Sequence, residues 1–281
     1  MKSGKFFKIE NLDKKKILDL EGIAINSEGD FLFSNEGDLN KKPRQGPEIF
    51  WTNTQGKRLR EVKMDPEFLP NPTGPQTQGV QNNLAFEGLS SDLVLKKWGA
   101  FLEGPLLASP LSATPPNTLP PSVPPSTSSG EAPSLRDHLI YVESDLNSLK
   151  FDKKYKYPLP EMEGAFALMM GVTDFLMYSE NELLVLERGA EFSLQGLLMN
   201  VQLCRATKQE SDHLERKCFY NLNKDAVLLK KIATATQGKT QTIANFEGLC
   251  WLNEKKTQFM VVSDNNFNKT ENTLFLLYNL H

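Results

Sequence analysis

The chain has 281 residues, a net charge of −3 and 39% hydrophobic residues. That length supplies one large domain with a core that needs no disulfide or metal staples. Its 32 basic and 35 acidic residues nearly balance, which argues against a nucleic-acid or membrane-surface binder. The longest apolar run, Ala165 to Val172, is far short of the ~20 residues that cross a bilayer as a helix.

The first eight residues carry lysines but no apolar h-region or small-residue cleavage site. By itself that fits a cytoplasmic chain, or the trimmed piece of an exported one. Leu12–Leu20 and Ala226–Ile232 have a weak helical period. The other structural signals are short and strand-like: Phe31–Ser34, His138–Val142, Leu183–Leu186, Phe259–Val262 and Thr273–Tyr278. Turn material bounds them at Ser27–Asp30, Asn53–Gly56, Glu180–Asn181 and Asn253–Lys256. Pro105 to Pro133 holds nine of the 17 prolines, interleaved with Ser, Thr and Ala. Such a stretch gains too little on ordering to fold, so a disordered, Pro-rich loop insertion over 107–134 is expected within a single domain spanning 1–281. Many short strands make the chain all-β: a sandwich, a barrel or a propeller.

Glycine narrows that choice. Seven of 18 glycines directly follow a glutamate, where composition would place between one and two. Three of these open a common unit at Leu20-Glu-Gly-Ile, Phe86-Glu-Gly-Leu and Phe246-Glu-Gly-Leu. Each unit closes on a second acid, 15 residues on for Glu21 to Glu36, 16 for Glu87 to Glu103 and 17 for Glu247 to Asp264. A fainter copy runs 13 residues from Asp174 to Glu187. Two strands of about six residues joined by a turn bring residues ~15 apart back to one end of a hairpin. Glycine after each glutamate allows close approach or a bulge. Repeated radially, such hairpins gather their carboxylates around a channel, which favours a β-propeller. Without the insertion about 250 residues remain, or five to six blades at roughly 40–45 residues each.

Carboxylates gathered in one place repel, and a hard cation relieves that repulsion. Ca²⁺ is the expected ion. Glu21, Glu87 and Glu247 are its expected ligands, with amide oxygens from Asn35 and Asn265. The competing reading is that each glutamate caps its own hairpin. Cys204, Cys218 and Cys250 form no C-x-x-C pair, so neither a zinc site nor a disulfide framework is indicated. They read as ordinary thiols, with a Cys204–Cys218 hairpin bridge left open for an oxidising compartment.

In order along the chain, Asp19-Leu-Glu-Gly-Ile-Ala24, Ser34-Asn-Glu-Gly37, Pro47-Glu-Ile-Phe50, Phe86-Glu-Gly-Leu89, Leu102-Glu-Gly-Pro-Leu106, Tyr157-Pro-Leu159, Leu184-Val-Leu-Glu-Arg188, Asn245-Phe-Glu-Gly-Leu249 and Ser263-Asp-Asn-Asn-Phe267 resemble the family called esterase-like activity of phytase. The resemblance implies a β-propeller-like fold, ester or phosphoester hydrolysis, and an extracytoplasmic location. Family members also carry a leader and a Gly-Leu-rich hairpin region ahead of the first unit. This chain has neither, which leaves closure of the ring open on its N-terminal side.

The usual hydrolytic machinery is missing. The sequence has no Gly-x-Ser-x-Gly elbow, no His-Glu-x-x-His helix and no Lys-bearing phosphate loop. His138, His213 and His281 lie in no recognisable motif, which argues against a Ser-His-Asp triad. Metal-assisted hydrolysis of a small phosphoester or ester remains. In it Glu36, Glu103 or Asp264 is a further ligand or the general base, and Arg188 is a phosphate clamp or an inter-blade ion pair. The alternative is a non-catalytic, calcium-stabilised propeller that binds a ligand or protein partner. The oligomeric state is not legible in the sequence.

Overall fold

A computed structural model describes residues 8–10, 18–107, 136–159, 167–193, 196–238, 243–265 and 272–280. Among them lie four antiparallel meanders. The first sheet is β1 (Leu20–Ile25), β2 (Phe31–Asn35), β3 (Glu48–Thr52) and β4 (Arg58–Glu61). The second is β5 (Phe86–Asp92), β6 (Lys97–Leu102), β7 (His138–Asp145) and β8 (Lys153–Pro158). β9 (Ala167–Met177), β10 (Glu182–Ser193), β11 (Gly196–Lys208) and β12 (Leu214–Asn221) form the third. The fourth has three strands, β13 (Asn245–Trp251), β14 (Gln258–Asp264) and β15 (Phe275–Asn279).

The turns form where the sequence places them. Asn26 Oδ1 accepts from the Glu28 and Asp30 backbone N–H groups, and Gly29 takes φ +87°. Asn53 repeats the arrangement toward Gln55 and Lys57, with Gly56 at φ +80°. A short polar side chain that bonds its own backbone and a glycine free to enter the left-handed region together close a tight turn. The expected helical segment is α1 (Ala226–Ala235), N-capped by Asp225, whose carboxylate accepts from Leu228 N–H. Leu12–Leu20 and the 107–134 insertion lie almost entirely outside the described residues.

The sheets stand as four blades around a common centre, with β1, β5, β9 and β13 innermost and side by side. A β-propeller was expected; five to six blades were not found. The difference is one of chain use. The third sheet spends 55 residues, 167–221, on long strands, and the second blade spans the insertion.

Three apolar clusters seal successive blade boundaries. Trp51, Phe86 and Trp98 lie between the first and second sheets, and Phe101, Tyr141 and Phe175 between the second and third. Leu186, Phe246 and Phe259 lie between the third and fourth. Among the described residues no such cluster joins the fourth sheet to the first. Trp51 and Trp98 are fully buried, and Trp251 is half-buried with its indole N–H donated to Met177 O, so the tryptophans pack blades together. No helix is long and apolar enough to cross a membrane. The cysteines depart from expectation, because Cys204 and Cys218 face each other across β11 and β12 and form a disulfide, while Cys250 is free.

Candidate active site

Each innermost strand carries one extra residue at the same level. In β1, Glu21-Gly22 stand opposite the single residue Ser34. In β5 the unpaired residue is Glu87, in β13 it is Glu247, and in β9 it is Thr173. A bulge drops its residue out of the in–out alternation of the ladder and re-aims the side chain. Here all four bulged residues line one pocket of about 240 Å³, together with Ile23, Leu89, Asp174, Leu249, Cys250 and Val262.

The glycines allow the inner strands to approach. A Cβ on Gly22 would fall 2.4 Å from Leu89 Cβ, and one on Gly171 would fall 2.4 Å from Glu103 O. Neither position tolerates a side chain without moving backbone.

Two acid triplets share Glu36. Glu36, Glu87 and Glu103 each place an oxygen within 4.8 Å of the other two, and so do Asp19, Glu21 and Glu36. The expected meeting of Glu21 with Glu36 and of Glu87 with Glu103 is therefore present. Glu36 Oε1 accepts from Ala85 N–H at 2.5 Å, while its buried Oε2 has no partner. Thr173 Oγ1 is likewise buried and unpartnered.

Burial is the first cause of the upward shifts in this cluster. It pushes the Glu36 carboxyl up to about 8, against a hydrogen bond from Ala85 and with help from Glu103, Glu21 and Asp19. Glu21 rises to about 7 through burial and then through repulsion from Asp19, Glu247 and Glu103. Glu87 is raised well above the usual carboxylate range, and Glu103 and Glu247 are raised too, although Arg188 pulls all three back.

Arg188 is the cation of the cluster. From β10 its Nη2 donates to Glu103 at 2.8 Å, and its Nη1 donates to Glu247 and Asn245. One guanidinium thus ties the third sheet to the second and fourth, in the manner of an inter-blade ion pair.

The third sheet differs from the repeat inferred from sequence. Asp174 occupies the place that Gly22, Gly88 and Gly248 take in the other blades, and its carboxylate accepts backbone N–H groups of Leu249 and Phe175 at 2.6 and 2.8 Å, and of Leu89. Burial pushes it up to about 7. Glu187 does not join it. That side chain is buried in a separate network with Tyr157, Gln202 and Arg216, the last bound through two nitrogens at 2.6 and 2.7 Å. The faint fourth unit therefore contributes Thr173 and Arg188 to the centre in place of two acids.

The remaining expected residues lie further out. Asn35 Oδ1 accepts from Asp19 N–H at 2.7 Å and so holds the approach to Glu21. Asp264 is exposed at the end of β14, opposite Asn245, and belongs to neither triplet. Asn265 follows it with its N–H on Asp264 Oδ1. Thr173 and Asp19 were missed as site residues. Matching Val172-Thr-Asp-Phe to Phe86-Glu-Gly-Leu by their apolar flanks finds Thr173, and Asp19 lies two residues before Glu21.

A family model described as phytase-like, esterase-like activity of phytase, matches residues 3–267. The chain belongs to this family. The match takes in all four innermost strands, the three Glu-Gly bulges, Thr173 and Arg188. No curated protein matches the chain. Within this phytase-like framework, the motifs that carried the resemblance occupy two kinds of place. Glu21, Glu36, Glu87, Glu103 and Glu247 surround the centre, whereas Tyr157-Pro-Leu159 lies on the outer strand of the second blade.

Proposed function

We propose that this phytase-like propeller hydrolyses a small ester or phosphoester at the central acid cluster, with a bound Ca²⁺. The observation that carries the reading is the pair of buried, unpartnered oxygens at that centre, Glu36 Oε2 and Thr173 Oγ1, among carboxylates. Buried polar atoms without partners are rare, and these await a proton or a cation. The donors are all oxygens, which suits a hard cation. Glu21, Glu87, Thr173 and Glu247 are the residues that would hold Ca²⁺. Asn35 is a poorer ligand because its amide oxygen already supports Asp19. When bound, the ion polarises the ester or phosphoryl oxygen and offsets the acidic field that repels an anionic substrate.

The protein supplies the proton transfers. Glu36 is protonated at neutral pH, since burial and its acidic neighbours hold its carboxyl near 8, and it donates to the leaving oxygen. Glu103, kept ionisable by Arg188, takes the proton of the attacking water. The new C–O or P–O bond forms to that water, the old ester bond breaks, and the alcohol leaves with the proton of Glu36. Arg188 already has both terminal nitrogens engaged, so it positions Glu103 and Glu247. The Cys204–Cys218 disulfide supports an oxidising, extracytoplasmic compartment.

The test compares bound metal and hydrolysis of p-nitrophenyl phosphate and acetate after EDTA treatment and calcium repletion, in the wild type, Glu87→Gln and Glu247→Gln. Expected are calcium bound to the wild type and a loss of at least tenfold in turnover in both variants. Calcium-dependent stabilisation without turnover would instead mark a non-catalytic binding propeller.

A further inference from the structure

The fourth and first sheets leave a seam that the other blade boundaries do not have. On β1, Gly22 and Ala24 pack toward the second sheet, so Ile23 and Ile25 point away from it, 57% and 43% exposed. In the fourth sheet, Cys250 pairs with Met260, and Met260 and Val262 pair with Leu277 and Phe275. Directly paired residues share a face. Leu249, Val261 and Leu276 occupy the opposite face, against the third sheet. Phe275 and Leu277 are consequently 61% and 70% exposed.

These two apolar strips start at the acid pocket, because Ile23, Cys250 and Val262 belong to its wall. The strand segments Gly22–Ile25, Gly248–Leu252 and Phe275–Asn279 carry no charged residue. The pocket, about 240 Å³, is smaller than the roughly 300–1,000 Å³ of sites that enclose a whole small molecule. It has room for a head group, and the rest of a ligand must lie outside it. The uncharged seam offers nothing to a polyphosphorylated body. It offers a long apolar surface, continuous with the carboxylates, to a chain that leaves the pocket.

We propose that the seam between the fourth and first sheets binds the acyl chain of an amphiphilic carboxylic ester whose head group sits among Glu21, Glu87 and Glu247. This rests on the hydrolase reading and names its substrate class. Ile23 and Ile25 flank the chain on one side, Phe275 and Leu277 on the other. Exposed apolar patches mark binding surfaces, and the continuity with the pocket is what assigns this one to a ligand.

The test is a chain-length series, p-nitrophenyl acetate, butyrate and octanoate, with displacement of Nile red by the same esters as a readout independent of turnover. Each methylene fully buried multiplies affinity up to about fourfold, so at least a tenfold rise in kcat/KM from acetate to octanoate is expected in this half-open seam. Ile25→Ser and Leu277→Ser should flatten the octanoate-to-acetate ratio. Hydrolysis with a flat series in the wild type overturns the acyl seam and leaves the hydrolase reading standing. Chain-length-dependent displacement of Nile red with no turnover does the reverse. A wild-type dimer that Leu277→Ser converts to monomer, with the ester ratio unchanged, overturns the proposal in favour of a contact between copies.

Discussion

Arg188 Nη2 lies 2.8 Å from Glu103 Oε1, an ion pair that crosses from the third blade to the second with both side chains largely buried. The same guanidinium reaches Glu247 in the fourth blade. Removing one partner of a buried pair leaves an uncompensated charge and typically costs about 3–5 kcal/mol. Arg188→Met is therefore expected to lose about that much stability at pH 8 in urea unfolding. At pH 5 the loss should shrink, because burial already raises the carboxyls of Glu103 and Glu247 and protonation removes their need for a partner. Arg188→Lys should recover only part of the loss, since an ammonium does not span two carboxylates as a planar fork does.

Glu36 governs a second pH effect, of defined sign. Its carboxyl titrates at about 8 in the folded chain, against an ordinary value of 4.5. Between those values the folded state holds a proton that the unfolded state has released, so stability falls as pH rises from about 4.5 to about 8. Glu36→Gln keeps an oxygen for Ala85 N–H and places a donor where Oε2 has no partner. It should flatten this part of the pH–stability curve and gain roughly 1–3 kcal/mol at pH 8.5. Hydrolysis should drop in the same variant, because an amide has no proton to give to the leaving group. Thermal unfolding across pH 4–9 checks the first point, and p-nitrophenyl acetate turnover the second.

Much of this centre is legible in the sequence, and the part that is not has a physical cause. The Glu-Gly spacings predict that acids converge, since a hairpin returns the chain to its starting level. The spacings carry no sign of the bulges themselves. A bulge adds one residue on one strand, and the pairing register alone reveals it. For that reason Thr173 stayed hidden: the eye follows Asp174, the acid, while the register puts the residue before it in the pocket. Asn35 beside Glu36 read as a ligand because an amide oxygen suits calcium, but its use is decided by Asp19, sixteen residues away. Blade number went astray for another reason. Chain length divided by an average blade assumes equal strands, and β9 to β12 are far longer than β1 to β4.

The inner glycines allow a test of how the blades are seated. A Cβ on Gly88 would lie 3.1 Å from Asp174 Cα, whereas one on Gly248 meets only Val262 Cβ at 3.7 Å. Gly88→Ala should cost about 1–3 kcal/mol by overpacking against backbone. Gly248→Ala should stay within about 0.5 kcal/mol. Equal losses in denaturant unfolding would mean that the fourth blade meets a neighbour as closely as the second does.

The Cys204–Cys218 bridge joins directly paired residues of β11 and β12, 14 apart in sequence. Closing a loop of that size restricts the unfolded chain by an amount worth about 3 kcal/mol. The Cys204→Ser, Cys218→Ser double variant should lose about 2–3 kcal/mol relative to the oxidised protein. Reduced wild type should fall close to the variant. Thermal unfolding with and without dithiothreitol makes the comparison, and an unchanged midpoint would show that the pairing of the two strands does not depend on the covalent link.

The bulges separate two requirements that a β-strand ordinarily couples. Along a regular strand, each residue that faces a ligand fixes which of its neighbours face the core, so recognition and packing change together. At Glu21, Glu87, Thr173 and Glu247 the side chain stands outside that alternation. Those four positions can take new chemistry while Trp51, Trp98, Phe175 and Phe259 keep the blades packed. A threonine among three glutamates shows the latitude this gives. The centre of the propeller is a set of four exchangeable side chains on an unchanging frame, and its specificity can drift without any cost to the fold.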